Sequence, residues 1–127
     1  MPQYMLLIYG PEDNLTAEER EAERPRWYEY TMSLRDAGVH VAGDALYDVE
    51  TATTIRVRDG ETQITDGPFA ETKELLGGYY VIDVPDLDTA LAHAARMPSI
   101  ERGSIEVRPV VDMSQMPGWA DQAEAHA

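Results

Sequence analysis

Nine consecutive residues, Asp66-Gly67-Pro68-Phe69-Ala70-Glu71-Thr72-Lys73-Glu74, carry the densest reactive chemistry in the chain. They combine a turn former, a rigid proline, one aromatic, three carboxylates and one ammonium. Asp66 and Glu71 are candidates for acid–base work, with Lys73 as the paired cation or anion holder. The same residues also suit a purely architectural loop, in which Asp66 caps a turn and Lys73 pairs with a neighbouring carboxylate. Phe69, the single phenylalanine, is expected to turn inward as an anchor, and Glu71 to Glu74 to form at most one helical turn. Gly77-Gly78 follows, then Tyr79-Tyr80. Strand alternation sends the two tyrosines to opposite faces, so one of them, with Tyr79 the candidate ligand contact, should reach the cleft between sheets and the other pack in the core.

The remaining candidates are scattered. Arg56 and Arg58 stand two apart on one strand face and could clamp a carboxylate or pair across a hairpin with Glu61. His40, between Val39 and Val41, should point away from their face, as a proton-transfer group in a cleft between two subunits or a hydrogen-bonded structural histidine. His93 and His126 stand apart from it. Three dispersed histidines without cysteine offer no metal-ligand spacing, so neither a metal nor another cofactor is expected.

Those groups must be positioned by a small number of elements. Tyr4 to Tyr9 is a continuous apolar run and reads as a buried strand. Thr16 with Glu19 forms a capping box that opens a helix. Pro25 should interrupt or restart that helix. Beyond it Trp27, Tyr30, Leu34 and Ala37 share one face, and Gly38 supplies the stop. Val39 to Leu46 reads as a strand bending at Gly43. Thr53 to Arg58 and Glu61 to Thr65 flank the hairpin signal Asp59-Gly60. Tyr79 to Val84 is a further strand. Asp86 caps a second helix that ends at Met97-Pro98. Ser104 to Val110 is the last strand. Residues 1–112 therefore form one domain, and residues 113–127 read as a tail that could dock through Met116 or Trp119.

Strand, helix, strand with hairpin, strand, helix, strand is the split βαβ, or ferredoxin-like, order of an α+β protein. Two helices cover one face of such a sheet. Met5 to Ile8 and Tyr79 to Ile82 are nevertheless apolar on both faces, which predicts a homodimer joined through the sheets. The chain has 127 residues, 43% of them hydrophobic, with a net charge of −14 and no cysteine. That charge repels nucleic acid and anionic membranes. Disulfides, thiolate metal sites and cysteine nucleophiles are excluded. No secretory signal or membrane-length apolar run is visible, so a cytoplasmic location is expected.

The Asp66–Glu74 stretch resembles the signature of the DGPF branch of the YCII-related family. Matching pieces at Tyr4–Tyr9, Thr51–Arg56 and Ile105–Val110 extend the likeness over most of residues 3 to 110. The resemblance implies a ferredoxin-like fold and a dimeric α+β barrel. Other members of that family are thought to use a His–Asp pair for proton transfer. The histidine slot, the twelfth position counted back inclusively from Gly38, holds Trp27 here. The aspartate slot, before Pro98, holds Met97. The pair is missing, and Trp27 and Met97 could line an apolar pocket in its place. Two functions are compatible with the likeness. One is a small-molecule binder or a lyase- or hydrolase-type enzyme using a cleft near the signature loop. The other is an accessory protein associated with extracytoplasmic-function sigma factors, as the resemblance to the DGPF branch implies.

Overall fold

The computed structural model describes residues 1–11, 15–69 and 73–126. Strand β1 (Gln3–Pro11) leads to helix α1 (Ala17–Asp36) and strand β2 (His40–Ala45). A hairpin follows, β3 (Thr53–Arg58) and β4 (Glu61–Asp66). Then come β5 (Glu74–Asp83), α2 (Leu87–Ala94), β6 (Ser104–Pro109) and α3 (Trp119–His126). Four strands form one antiparallel sheet in the order β2-β5-β1-β6, and β3-β4 form a separate two-stranded sheet. This α+β architecture is consistent with the split βαβ arrangement.

Local chemistry accounts for the ends of α1. Thr16 Oγ1 accepts the Glu19 amide at 3.2 Å, and Glu19 Oε1 accepts the Thr16 amide at 3.2 Å. Two otherwise orphaned donors are thereby satisfied. At the far end Gly38 adopts φ +73°, and the Val39 amide returns to the Leu34 carbonyl at 3.1 Å. Pro25 lies inside the helix and does not break it. It sits on the exposed side, where water can satisfy the Glu21 carbonyl that loses its amide partner. Asp59 and Gly60, with φ of 53° and 77°, make the tight β3–β4 turn that the Asp-Gly pair demands.

The core lies between α1, α2 and one sheet face. Leu6, Tyr80 and Ile82 from the sheet meet Tyr30 and Leu34 from α1 and Ala90 and Ala94 from α2. Each fully buried Leu or Ile contributes about 1.5–3 kcal/mol. Tyr30 also donates its hydroxyl to the His93 carbonyl at 2.7 Å, which ties the two helices together. On the opposite sheet face Met5, Leu7 and Val81 are only half-buried.

Three sequence expectations change. Glu74 begins strand β5 and takes no part in a helical turn, so β5 runs through Gly77-Gly78 and starts earlier than Tyr79. The segment read as a featureless tail contains α3, although Met116 and Trp119 remain exposed. Met97 is 1% exposed and belongs to the core between the helices and the sheet.

Candidate functional site

A cleft of about 570 Å³ runs along α1 where that helix leaves the sheet. Its helical wall is Arg20, Glu23, Arg24, Trp27, Thr31 and Arg35. Arg20, Arg24, Trp27, Thr31 and Arg35 recur at intervals of three and four and form one stripe, with Glu23 beside it. The facing wall comes from β2 and β5, with His40, Gly43 and Tyr80 prominent. Ser99 and Arg102, between α2 and β6, close one end.

Trp27 is the centre of the aromatic wall. Its indole N–H donates to Glu23 Oε1 at 2.8 Å, one helical turn back. Arg102 donates to the same oxygen at 2.7 Å. Glu23 is 8% exposed while the Arg102 side chain is 36% exposed, so the carboxylate is shielded and the guanidinium stays partly in water. Truncating the arginine strands the carboxylate. The indole plane lies 17° from that of Tyr80, with centroids 6.5 Å apart. Tyr80 in turn meets Tyr30 and His40 edge-on, and its hydroxyl shares a 2.6 Å hydrogen bond with Thr31 Oγ1. A Cβ on Gly43 would come within 2.7 Å of the Tyr80 ring, so glycine makes the room in which that ring lies.

At the outer end Arg20 forks onto Asp48, at 2.9 and 3.4 Å. The exposed Arg35 carbonyl accepts the Gly38 amide at 2.9 Å, and its guanidinium has no hydrogen-bond or ion-pair partner among the described residues. Tyr79, on the alternate face of β5, donates to Asp44 Oδ2 at 2.7 Å. That hydrogen bond, reinforced by the carboxylate charge, raises the Tyr79 phenol above its ordinary pKa.

Of the residues singled out from the sequence, Trp27, His40 and Tyr79 border this cleft. His40 reaches it by a route that strict alternation does not give. A bulge at Val41 shifts the β2–β5 register, so His40 is opposite Ile82 and shares the helix-covered side. It therefore does not face the open side of the sheet, as expected for a cleft between subunits. Met97 does not border the cleft with Trp27, because the core absorbs it.

The signature loop stands apart. Asp66 is exposed at the end of β4, opposite Thr53, and Lys73 is exposed just before β5. Phe69 does not anchor inward: it is 72% exposed, with the Arg56 guanidinium 5.0 Å from its ring centroid. Arg56 is thereby engaged on the hairpin and does not line the cleft. Gly67, at φ +112°, donates its amide to Ala52 at 2.7 Å, and its carbonyl accepts from Thr54 Oγ1 at 2.8 Å. These contacts tie the turn to Ala52 and to β3. Glu71 lies outside the described residues.

Sequence reasoning missed Glu23, Arg102 and Ser99, while both tyrosines of the Tyr79-Tyr80 pair border the cleft. Glu23 carries a signal after the fact, because it stands four residues before a tryptophan whose N–H needs an acceptor. Nothing local marks Ser99 or Arg102. Among the described residues no group of three His, Asp or Glu side chains is arranged to hold a metal ion.

The YCII-related domain matches residues 2–114. The chain is also 37% identical over 112 residues to an uncharacterized protein of Rhizobium meliloti (strain 1021), across 84% of this chain and 90% of that one. The chain belongs to the YCII-related family.

Proposed function

We propose that this protein binds a small molecule in the α1 cleft, as a DGPF-type member of its family that works as a homodimer. The observation that carries this reading is the Glu23–Trp27–Arg102 cluster. An indole is held in place by a hydrogen bond to a carboxylate that is itself pinned by an arginine. A rigid aromatic wall with polar groups at both ends is the usual composition of a ligand pocket. Trp27 also occupies the helix position at which the resemblance places a catalytic histidine. His40 across the cleft is the side chain best placed to exchange a proton with a bound molecule.

The dimer rests on the open side of the sheet. Met5, Leu7 and Val81 make an apolar patch opposite the helix-covered core, and a second copy would bury it. A second reading, a protein accessory to an extracytoplasmic-function sigma factor, draws on the net charge of −14, which suits a basic protein surface.

A thermal-shift screen against a library of metabolites tests the cleft. A true ligand at one hundred times its Kd stabilises by about 2.7 kcal/mol, a shift of several degrees in Tm. The shift should vanish in Trp27→Ala and survive in Lys73→Ala and Asp66→Ala. A hit that loses its effect in the loop variants and keeps it in Trp27→Ala would place the ligand elsewhere. Low-salt capture of a sigma factor by the wild type, with no metabolite hit, would favour the second reading.

A further inference from the structure

The β3–β4 hairpin is covered on its polar face and bare on its apolar one. Along β3 the polar Thr54 and Arg56 are half-buried, whereas Ile55 and Val57 are exposed. The chain that follows the hairpin is the cause. Phe69 lies beside the Arg56 guanidinium, and the Gly67 carbonyl accepts the Thr54 hydroxyl, so the protein's own loop shelters the polar side. Ile55 stands opposite Ile64 and Val57 opposite Thr62, so alternation gathers Ile55, Val57 and Ile64 on the other face. They are 66%, 57% and 67% exposed, and every residue of β4 is exposed. A sheet with one covered face ordinarily turns its apolar side inward. A two-stranded hairpin is also marginal by itself in water. The inverted hairpin therefore needs a cover for Ile55, Val57 and Ile64 that comes from another molecule.

That cover fits a second copy of this chain. The apolar face holds one charged side chain, Asp66 at its base, in a molecule of net charge −14. A basic partner would be drawn to the carboxylates elsewhere, whereas the core of a homodimer interface is depleted of charge. Area points the same way. A stable pair buries about 800 Å² on each partner, and in homodimers about 65% of it is apolar. Met5, Leu7 and Val81, half-buried on the outer sheet face, cannot supply that apolar share alone. The hairpin adds on the order of 300 Å² of branched apolar surface, the size at which a surface patch is often functional.

We propose that β3–β4 is a dimerisation arm, whose Ile55, Val57 and Ile64 pack against the second copy beside the sheet-to-sheet contact. This inference rests on the homodimer reading and names the element that completes the interface. Two-fold symmetry uses each arm once, so every hairpin side chain counts twice in the association. The turn at Gly67 holds the base of the arm to Ala52 and Thr54, and the Arg56–Phe69 contact backs its polar side. Both contacts leave the apolar side facing outward.

The test uses the full chain. Sedimentation over a concentration series gives the dimer dissociation constant, and amide exchange above and below that concentration locates the arm. The amides of Ile55–Ile64 should exchange at least about tenfold more slowly in the dimer than in the dilute monomer. Ile64→Ser should raise the dissociation constant by about a hundredfold, about tenfold for each of two arms. Gln63→Ser, next to it on the polar face, should leave the constant unchanged. Ile64 is exposed within each copy, so an unchanged circular-dichroism spectrum separates lost association from lost folding. A dimer that Val81→Asp dissociates and Ile64→Ser does not would overturn the arm while keeping the sheet-faced homodimer. Hairpin amides that exchange equally fast in dimer and monomer would overturn it in the same way. A wild type that stays monomeric throughout the series would overturn the arm and the homodimer together.

Discussion

Glu23 is the side chain on which the cleft wall depends. One of its oxygens serves both the Trp27 indole and the Arg102 guanidinium. Glu23→Ala should destabilise the fold by about 1–2 kcal/mol, because it leaves the half-buried indole N–H unanswered while the partly exposed Arg102 guanidinium turns to water. Urea unfolding of the single and double variants with Arg102→Ala should show strong coupling between the two. Tyr30 makes a pH prediction. Burial pushes its phenol well above the ordinary value, with Arg96 acting more weakly in the other direction. In the unfolded chain a phenol titrates near about pH 10. The folded value is the higher one, so the neutral phenol's contribution is complete below about pH 10 and is lost as pH rises beyond it. Tm of the wild type should fall steeply above that pH, and Tyr30→Phe should flatten the slope. The same variant should cost about 1 kcal/mol at neutral pH through the lost bond to the His93 carbonyl. Individual side chains were the hardest to place from sequence. Phe69 looked like an anchor because it is aromatic and unique, yet Arg56 stacks on it at the surface. Strand alternation alone turned His40 the wrong way, because a one-residue bulge leaves no reliable mark in composition.

Elements were far more legible. The Thr16–Glu19 capping box, the Asp59-Gly60 turn and the Asp86 cap each name a boundary by a local physical rule, and each of these stands in the structure, whereas the apolar run from Tyr79 misses the start of β5 at Glu74. Thr16→Ala should lower stability by about 1 kcal/mol in chemical unfolding, as expected for loss of a helix cap. Gly78 is a sharper case. A Cβ there would lie 2.8 Å from the Asp44 carbonyl on the adjoining strand. Gly78→Ala should therefore force β2 and β5 apart and reduce Tm by more than a surface substitution would. Amide exchange should show the loss of protection concentrated at Asp44–Leu46, whose strand borders the cleft. The sequence could not reveal this requirement, since paired glycines before a strand look like a loop until the close strand approach is seen.

For the molecule as a whole, the unpaired side of the four-stranded sheet and the acidic exterior set the expectations. The proposed homodimer predicts that the wild type sediments as a dimer and that Leu7→Asp or Val81→Asp, each on the half-buried outer face, shifts it to a 14.2 kDa species without altering the helix content. An unchanged dimer would mean that copies associate elsewhere. The cleft itself was invisible to sequence reasoning because it is made by distance. Arg20 and Arg102 are far apart in the chain, and only the packing of α1 against the sheet brings them to one pocket. The most direct measurement is therefore a ¹H–¹⁵N spectrum of the wild-type protein titrated with a ligand from the metabolite screen. The account predicts shifts of the Trp27 indole N–H and of the amides at Gly43, Gly77 and Tyr80. Shifts confined to Phe69, Lys73 and the β3–β4 hairpin, with the Trp27 signal unmoved, would contradict it.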